Sequence, residues 1–116
     1  MNVIEYGANT IGRNLKLIRE NDFEGLKRIV IEKSQKRFGP VSGYLDDKTM
    51  EVILRYAAEN LEQSIFFESR IRDARDIYGE LGDIEKFKAL DERIKNNENR
   101  NPEIPVDFFD ANKSFY

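Results

Sequence analysis

The sequence contains no cysteine and no histidine. Without cysteine the chain cannot form a disulfide bond or a thiolate nucleophile, and without either residue it cannot build a conventional zinc site. A Ser-His-Asp or Cys-His catalytic relay is also excluded, because each uses an imidazole as its general base. Disulfide-stabilised folds, zinc modules and the commonest hydrolase mechanisms are therefore ruled out.

Sequence signals for membrane insertion and for metal binding are also lacking. Residues 1–10 do not combine a basic start with an apolar stretch, and no apolar run approaches the length that spans a bilayer. The acidic pairs (Asp46 and Asp47, Asp73 and Asp76, Asp91 and Glu92) do not have EF-hand spacing and are interpreted as helix-start or ion-paired surface residues. We therefore expect a cytoplasmic protein with no membrane partner, no metal and no cofactor.

Charge is abundant but unevenly distributed. The chain has 116 residues, of which 35% are charged and 40% hydrophobic, and this length suits one domain. Residues 1–44 carry eight basic and five acidic side chains, whereas residues 45–116 carry eleven basic and seventeen acidic ones. Such asymmetry is compatible with a nucleic-acid face, with packing of the two halves or with head-to-tail association of copies. The overall pI of about 5.1 disfavours a general phosphate-binding role.

Hydrophobic periodicity predicts a mainly helical chain. Residues 1–6 are predicted to form a short extended N-terminal arm, after which apolar side chains recur at helical spacing in four stretches. These begin near residue 10, at Asp22, at about residue 47 and at Asp83. The β-branched run at residues 28–32 leaves a strand as an alternative in the second stretch. We therefore predict a mainly α fold, a small bundle of three to four helices.

The third stretch predicts one long helix at about residues 47–81. A helix of about 30 residues is about 45 Å long, which exceeds the width of so small a domain. It must therefore bend or break near Gln63–Ser69, or project and meet a partner.

The turn before the last helix has a recognisable pattern. Ala74, Tyr78 and the segment Leu81-Gly82-Asp83 resemble the hairpin turn of a tetratricopeptide repeat, over about residues 70–95. The resemblance implies a packed helical hairpin, but not a peptide-binding superhelix, because no second copy follows at the period of that family. Residues 21–29 also align with residues 82–90, which common helix-start chemistry explains, with repeat ancestry as the alternative.

The C-terminal segment is polar and then aromatic. Asparagine-rich residues 96–101 precede Pro102 and Pro105, which exclude a regular helix. We therefore predict a single helical domain at residues 1–95, and a polar linker with an extended aromatic tail at residues 96–116. A disordered tail is ordinarily poor in aromatic residues, so this one is expected to pack on its own domain or on another chain. The expected partner-binding residues are Ile104, Val106, Phe108, Phe109, Phe115 and Tyr116.

These observations favour a function without catalysis. We expect a small protein–protein interaction protein (an adaptor, inhibitor or assembly subunit of phage or bacterial type) that acts through the long helix and the tail, as a homo-oligomer or on a larger protein. The alternative is a DNA- or RNA-binding regulator that uses the basic second helix, with Lys27, Arg28, Lys33, Lys36 and Arg37 as its contact residues. A carboxylate-based enzyme is the least favoured class, because no converging acidic set is readable.

Overall fold

The computed structural model describes residues 1–39, 45–64 and 68–100. Within these ranges the chain forms six α-helices and no strand. Their bounds are α1 Val3–Gly12, α2 Leu15–Arg19, α3 Phe23–Phe38, α4 Asp47–Glu62, α5 Glu68–Leu81 and α6 Ile84–Arg100. The mainly α prediction is confirmed, although the described ranges hold more helices than the three to four expected. Residues 28–32 lie inside α3, so the strand alternative is wrong.

The predicted extended arm at residues 1–6 is also wrong, because helix α1 begins at Val3. The Asn2 side chain accepts a hydrogen bond from the Glu5 amide at 2.8 Å, and the Glu5 carboxylate accepts one from the Asn2 amide at 3.2 Å. This reciprocal capping box satisfies backbone donors that a helix start leaves open. It outweighs the strand preference of Val3 and Ile4.

The single long helix predicted at residues 47–81 is two helices. Helix α4 ends at Glu62, where the Ser64 amide donates to the Leu61 carbonyl at 3.1 Å, and α5 begins at Glu68. The break falls in the region that the length argument indicated. Met50 near the start of α4 lies beside Leu81 at the end of α5, and Leu61 lies beside Arg70. The two helices therefore pair antiparallel.

Helices α1 and α4 approach each other closely and run parallel. A Cβ atom placed on Gly7 would lie 2.8 Å from Cγ2 of Ile53, so this contact requires glycine. Farther along both helices, Gly12 and Leu61 line one cavity, so α1 and α4 point in the same direction. The core that these helices share with α2, α3, α5 and α6 includes Ile11, Ile18, Leu26, Val30, Leu54, Ala58, Ala74, Ile77, Tyr78 and Ile94.

The turns before α3 and α6 have the same geometry. Asn21 and Gly82 occupy equivalent positions and both have positive φ, 61° and 78° respectively. The next residue in each turn, Asp22 or Asp83, donates its amide to the carbonyl five residues earlier, at 2.8 and 3.0 Å. Both turns are therefore Schellman-type helix ends, which satisfy the last carbonyls of the preceding helix.

The same aspartates begin the next helices. Asp22 accepts a hydrogen bond from the Gly25 amide at 2.9 Å, and Asp83 accepts one from the Lys86 amide at 3.2 Å. The internal similarity thus corresponds to one repeated turn, with a left-handed residue followed by an aspartate cap. The packed α5–α6 hairpin implied by the repeat-like turn is present, since α6 packs directly on α5.

Candidate interaction surfaces

The six expected partner-binding residues of the tail lie outside the described residues. Helix α6 continues to Arg100, five residues beyond the predicted end of the domain at residue 95. The polar residues 96–100 are therefore helical, and the division into a domain and a tail stays a prediction.

The basic residues of α3 lie on its surface but do not form one uniform patch. Arg28, Lys33, Lys36 and Arg37 are exposed, whereas the Lys27 side chain is only 29% exposed. Lys27 forms ion pairs with Glu24 at 3.6 Å and with Glu80 at 3.3 Å. It therefore connects α3 to α5 and is less available for a phosphate than the other four.

The start of α3 is unsuited to reading base edges. Phe23 and Gly25 are buried there, and a Cβ atom on Gly25 would lie 2.5 Å from the Asp22 carboxylate. A recognition helix presents its N-terminal residues to the major groove. Here that end instead packs into the core and carries the exposed acidic residue Glu24.

Helix α4 exposes apolar side chains that the sequence analysis did not single out. Val52 is 45% exposed and Tyr56 is 37% exposed, and they lie one turn apart on the same helix face. Arg55 lies between them in the sequence, and its guanidinium forms an ion pair with the carboxylate of Asp83 at 2.9 Å. The start of α6 therefore lies beside α4. Ile84, the first residue of α6, is 57% exposed. We call Val52 and Tyr56 the outer apolar face.

An acidic cavity of about 360 Å³ lies between α3, α4 and α5. Its floor is apolar, with Met50, Leu54 and Leu81, and its rim carries Glu24, Asp47, Glu51 and Glu80 around Lys27. Lys27 forms ion pairs with Glu24 and Glu80, so its positive charge is neutralised by carboxylates of the same rim.

A second cavity, of about 350 Å³, lies where α1 and α4 end and α5 begins. We call it the end cavity. Its floor is formed by the buried apolar side chains of Ala8, Ala57 and Leu61, and its rim by exposed residues, namely Asn9, Gly12, Arg13, Asn60 and Arg70. Among the described residues that line it, the charged ones are Arg13 and Arg70, so this part of its rim is basic where the rim of the other cavity is acidic.

The acidic pairs have structural partners. Asp46 accepts the Thr49 amide at 2.8 Å, which lowers the pKa of Asp46 and confirms its place at a helix start. Asp91 accepts hydrogen bonds from Lys95 at 3.0 Å and from Arg75 at 2.8 Å, and these contacts lower the pKa of Asp91. Asp73 is buried, so its interpretation as a solvated residue is wrong. No three acidic side chains converge on a common point in the described ranges.

Tyr78 is a strongly perturbed titratable group of the described chain. Its side chain is fully buried, and its hydroxyl donates to Oε2 of Glu62 at 2.6 Å. Burial, followed by this hydrogen bond to a carboxylate, raises the pKa of Tyr78 above its ordinary value. The hydroxyl is therefore held protonated, as suits a structural contact between α4 and α5. A neighbouring contact with Arg55 lowers the pKa of Asp83.

Two further observations bear on the class of protein. In the part of the chain that the structure describes, none of the helices has the length and apolar character needed to cross a bilayer. Comparison of the chain with protein-family models, with characterised proteins and with solved structures gave no match.

Proposed function

We propose that this protein acts without catalysis, as an adaptor, inhibitor or assembly subunit that binds a protein partner through the outer apolar face and the aromatic C-terminal segment. The observation that carries the proposal is the outer apolar face, where Val52 and Tyr56 are adjacent on α4 and exposed beside the turn into α6. Removal of apolar surface from water is a main favourable contribution to protein–protein association.

The composition of that face supports a protein partner. A tyrosine offers a large apolar ring with one polar group, which is the kind of side chain enriched at the centre of protein interfaces. Exposed charged residues Glu51, Arg55 and Glu59 lie on the same side of α4 and would form a polar rim. The long helix invoked from the sequence is replaced in this proposal by α4 alone.

The C-terminal segment supports the same proposal through its sequence. Its six large apolar residues lie within residues 104–116, among them the adjacent pairs Phe108-Phe109 and Phe115-Tyr116. Burying an aromatic side chain of this size contributes about 1.5–3 kcal/mol relative to leaving it in water. A segment with several such residues binds well when a partner supplies a groove.

The test is quantitative affinity capture from lysate of the native host. The baits are the full chain, the double variant Val52→Ser/Tyr56→Ser and a chain ending at Asn101. The matched control is Glu51→Ser/Glu59→Ser, which changes the same helix without removing apolar surface. We expect one partner, or a second copy detected by light scattering, to be lost with the first double variant and retained with the control. Identical capture by all four baits would refute the proposal.

A nucleic-acid-binding regulator is the second candidate. It is favoured by the exposure of Arg28, Lys33 and Lys36, which form no ion pair within residues 1–39, 45–64 and 68–100. Binding to phosphates weakens steeply with salt, because it releases counterions. Retention on a polyanion column at low salt, lost in Arg28→Ala/Lys33→Ala/Lys36→Ala, would establish this function. Elution of the unchanged chain in the void at the lowest salt would exclude it.

A further inference from the structure

The end cavity lies at the end of the bundle where α6 leaves it. Helices α5 and α6 are antiparallel: the Arg75 guanidinium bonds to Asp91 at 2.8 Å, and Gly79 lies against the Phe87 ring. The same register puts Arg70, on the rim of the end cavity, level with about residue 96 of α6. Helix α6 therefore ends within about one turn, or about 6 Å, of the level of the cavity.

The chain that follows has the length to reach the cavity. Helix α6 packs on α5, and α5 packs on α4, so about two interhelical spacings of 8–10 Å separate the α6 axis from the cavity. An extended chain covers about 3.3–3.6 Å per residue, so about six residues suffice. Residues 101–106 provide this length, so the cavity is within reach of residues 106–109.

The chemistry of that segment complements the cavity. Residues 106–109 read Val-Asp-Phe-Phe, with one carboxylate between apolar side chains. The cavity has an apolar floor with Ala8 and Ala57, and Arg13 on its rim forms no ion pair within the described part of the chain. A carboxylate and a guanidinium form short, charge-assisted hydrogen bonds, which are stronger than neutral ones. The acidic cavity between α3, α4 and α5 would repel the same segment.

We propose that the end cavity is the docking site for residues 106–109 of the same chain, with Asp107 facing Arg13 and the aromatic rings covering Ala8 and Ala57. Docking there removes the two phenylalanine rings from water. If the proposed function holds, a partner that binds the C-terminal segment must first displace it from the end cavity, so the cavity regulates partner binding.

The absence of cysteine makes the test direct, because a single introduced cysteine is the only labelling site. A nitroxide is attached to the full chain at Ala111→Cys, and amide signals are compared by NMR with the nitroxide oxidised and reduced. We expect the oxidised label to remove signal intensity at Asn9, Gly12 and Asn60, around the end cavity, while Met50 and Leu81 at the acidic cavity keep theirs.

Charge exchange tests the specific pairing. The variant Arg13→Glu should restore the lost intensities, and adding Asp107→Arg should remove them again. Arg28→Glu, which reverses an exposed arginine of α3, serves as the control and should leave the pattern unchanged. All of these positions are on the surface or in the C-terminal segment, so the fold is expected to persist, and the amide spectrum itself verifies this.

Three results would overturn the proposal. Signals around the end cavity that are unaffected by the label would exclude docking there, and losses confined to Val52 and Tyr56 would assign the segment to another face. In a mixture of isotope-labelled and spin-labelled chains, losses equal to those within one chain would show that the segment docks on a second copy. Each result is independent of partner capture, so failure of the docking site and failure of the proposed function are distinguishable.

Discussion

The guanidinium group of Arg19 holds the carboxylate of Asp73 by two hydrogen bonds, Nε to Oδ1 at 3.3 Å and Nη2 to Oδ2 at 2.9 Å. The Asp73 side chain is 2% exposed, whereas that of Arg19 is 53% exposed. These bonds raise the pKa of Arg19 and attach the short helix α2 to the middle of α5. The pair is asymmetric, because water can hydrate one partner and not the other.

This asymmetry predicts that Arg19→Ala is more destabilising than Asp73→Ala. The first variant leaves a buried carboxylate without a partner, and the second leaves an arginine that water can solvate. For Asp73→Ala we expect the free energy of unfolding to fall by about 1.5–3 kcal/mol, the typical contribution of hydrogen bonds to a charged group. Denaturant titration measures both values. Lys16→Ala, in the exposed pair with Glu20, is the control and should change little. The opposite order for Arg19 and Asp73 would contradict this account.

The close contact between α1 and α4 predicts opposite effects of alanine at two glycines. Gly7→Ala places a methyl group against Ile53, and such overpacking typically lowers the free energy of unfolding by about 1–3 kcal/mol. Gly12→Ala meets nothing within 4 Å and should raise it by up to about 1 kcal/mol, because alanine is less flexible in the unfolded chain. Thermal unfolding of both variants provides the comparison, and equal effects would show that the helices are not in close contact.

The repeated turn predicts that Gly82 and Asn21 respond in opposite ways. Gly82→Ala forces an L side chain into a positive-φ conformation, which costs about 1–2 kcal/mol. Asn21→Gly relieves the same conformation at the equivalent position and should leave the free energy of unfolding unchanged or higher. Chemical denaturation distinguishes the two. A larger loss at Asn21→Gly than at Gly82→Ala would mean that the turns are not equivalent.

The buried hydroxyl of Tyr78 predicts a loss of stability in alkali. Its pKa is raised in the folded chain, so above the ordinary value of about 10 the unfolded state loses this proton first and becomes favoured. The free energy of unfolding should therefore decrease as the pH rises above about 10.

Tyr78→Phe tests this linkage. It should reduce the alkaline decrease, and at neutral pH it should cost about 1 kcal/mol, because Glu62 loses its donor. Tyr56→Phe, at an exposed tyrosine, is the control. Equal pH profiles for Tyr78→Phe and the unchanged chain would contradict the assignment.

Two buried hydroxyls predict a further contrast. The Oγ atom of Ser34 is fully buried and has no hydrogen-bond partner in the described ranges, whereas Thr10 donates to the Tyr6 carbonyl at 3.0 Å. Ser34→Ala should raise the free energy of unfolding by about 1 kcal/mol, since it removes an unpaired polar group. Thr10→Val should lower it, since a paired group is lost while the shape is kept. The calorimetric unfolding midpoints of the two variants show whether each substitution stabilises or destabilises the fold. Destabilisation by Ser34→Ala would reveal a hydrogen-bond partner for that hydroxyl.

The elements that the sequence predicts well are those specified by neighbouring residues. Asp22 and Asp83 begin helices as expected, because an aspartate cap and the turn before it act over a few positions. The pattern at residues 1–6 does not indicate the start of α1, although Asn2 and Glu5 have capping-box spacing, because Val3 and Ile4 favour a strand and Gly7 is unfavourable inside a helix. Gly7 is required by the close approach of Ile53 on α4, and the residues next to Gly7 in the sequence do not reveal this contact.

Features that depend on distant residues escape such reasoning. Asp73 lies among arginines in the sequence and was therefore interpreted as solvated, yet its partner is Arg19 on another helix. Residues 47–81 keep a helical period across the break after Glu62, since no glycine or proline marks it. Val52 and Tyr56 are ordinary helix residues by pattern, and only their exposure in the folded chain distinguishes them.

The contact of Gly7 with Ile53, between the parallel helices α1 and α4, affects the order of folding. The α5–α6 hairpin closes through a short local turn, whereas α1 must wait for α4, which is far along the chain. Non-local contacts of this kind form late, because loop closure precedes any gain from packing. During synthesis α1 therefore leaves the ribosome before α4 exists, and the side of Gly7 that faces Ile53 stays uncovered until α4 follows. We expect the contact between Gly7 and Ile53 to be among the last of the core contacts to form.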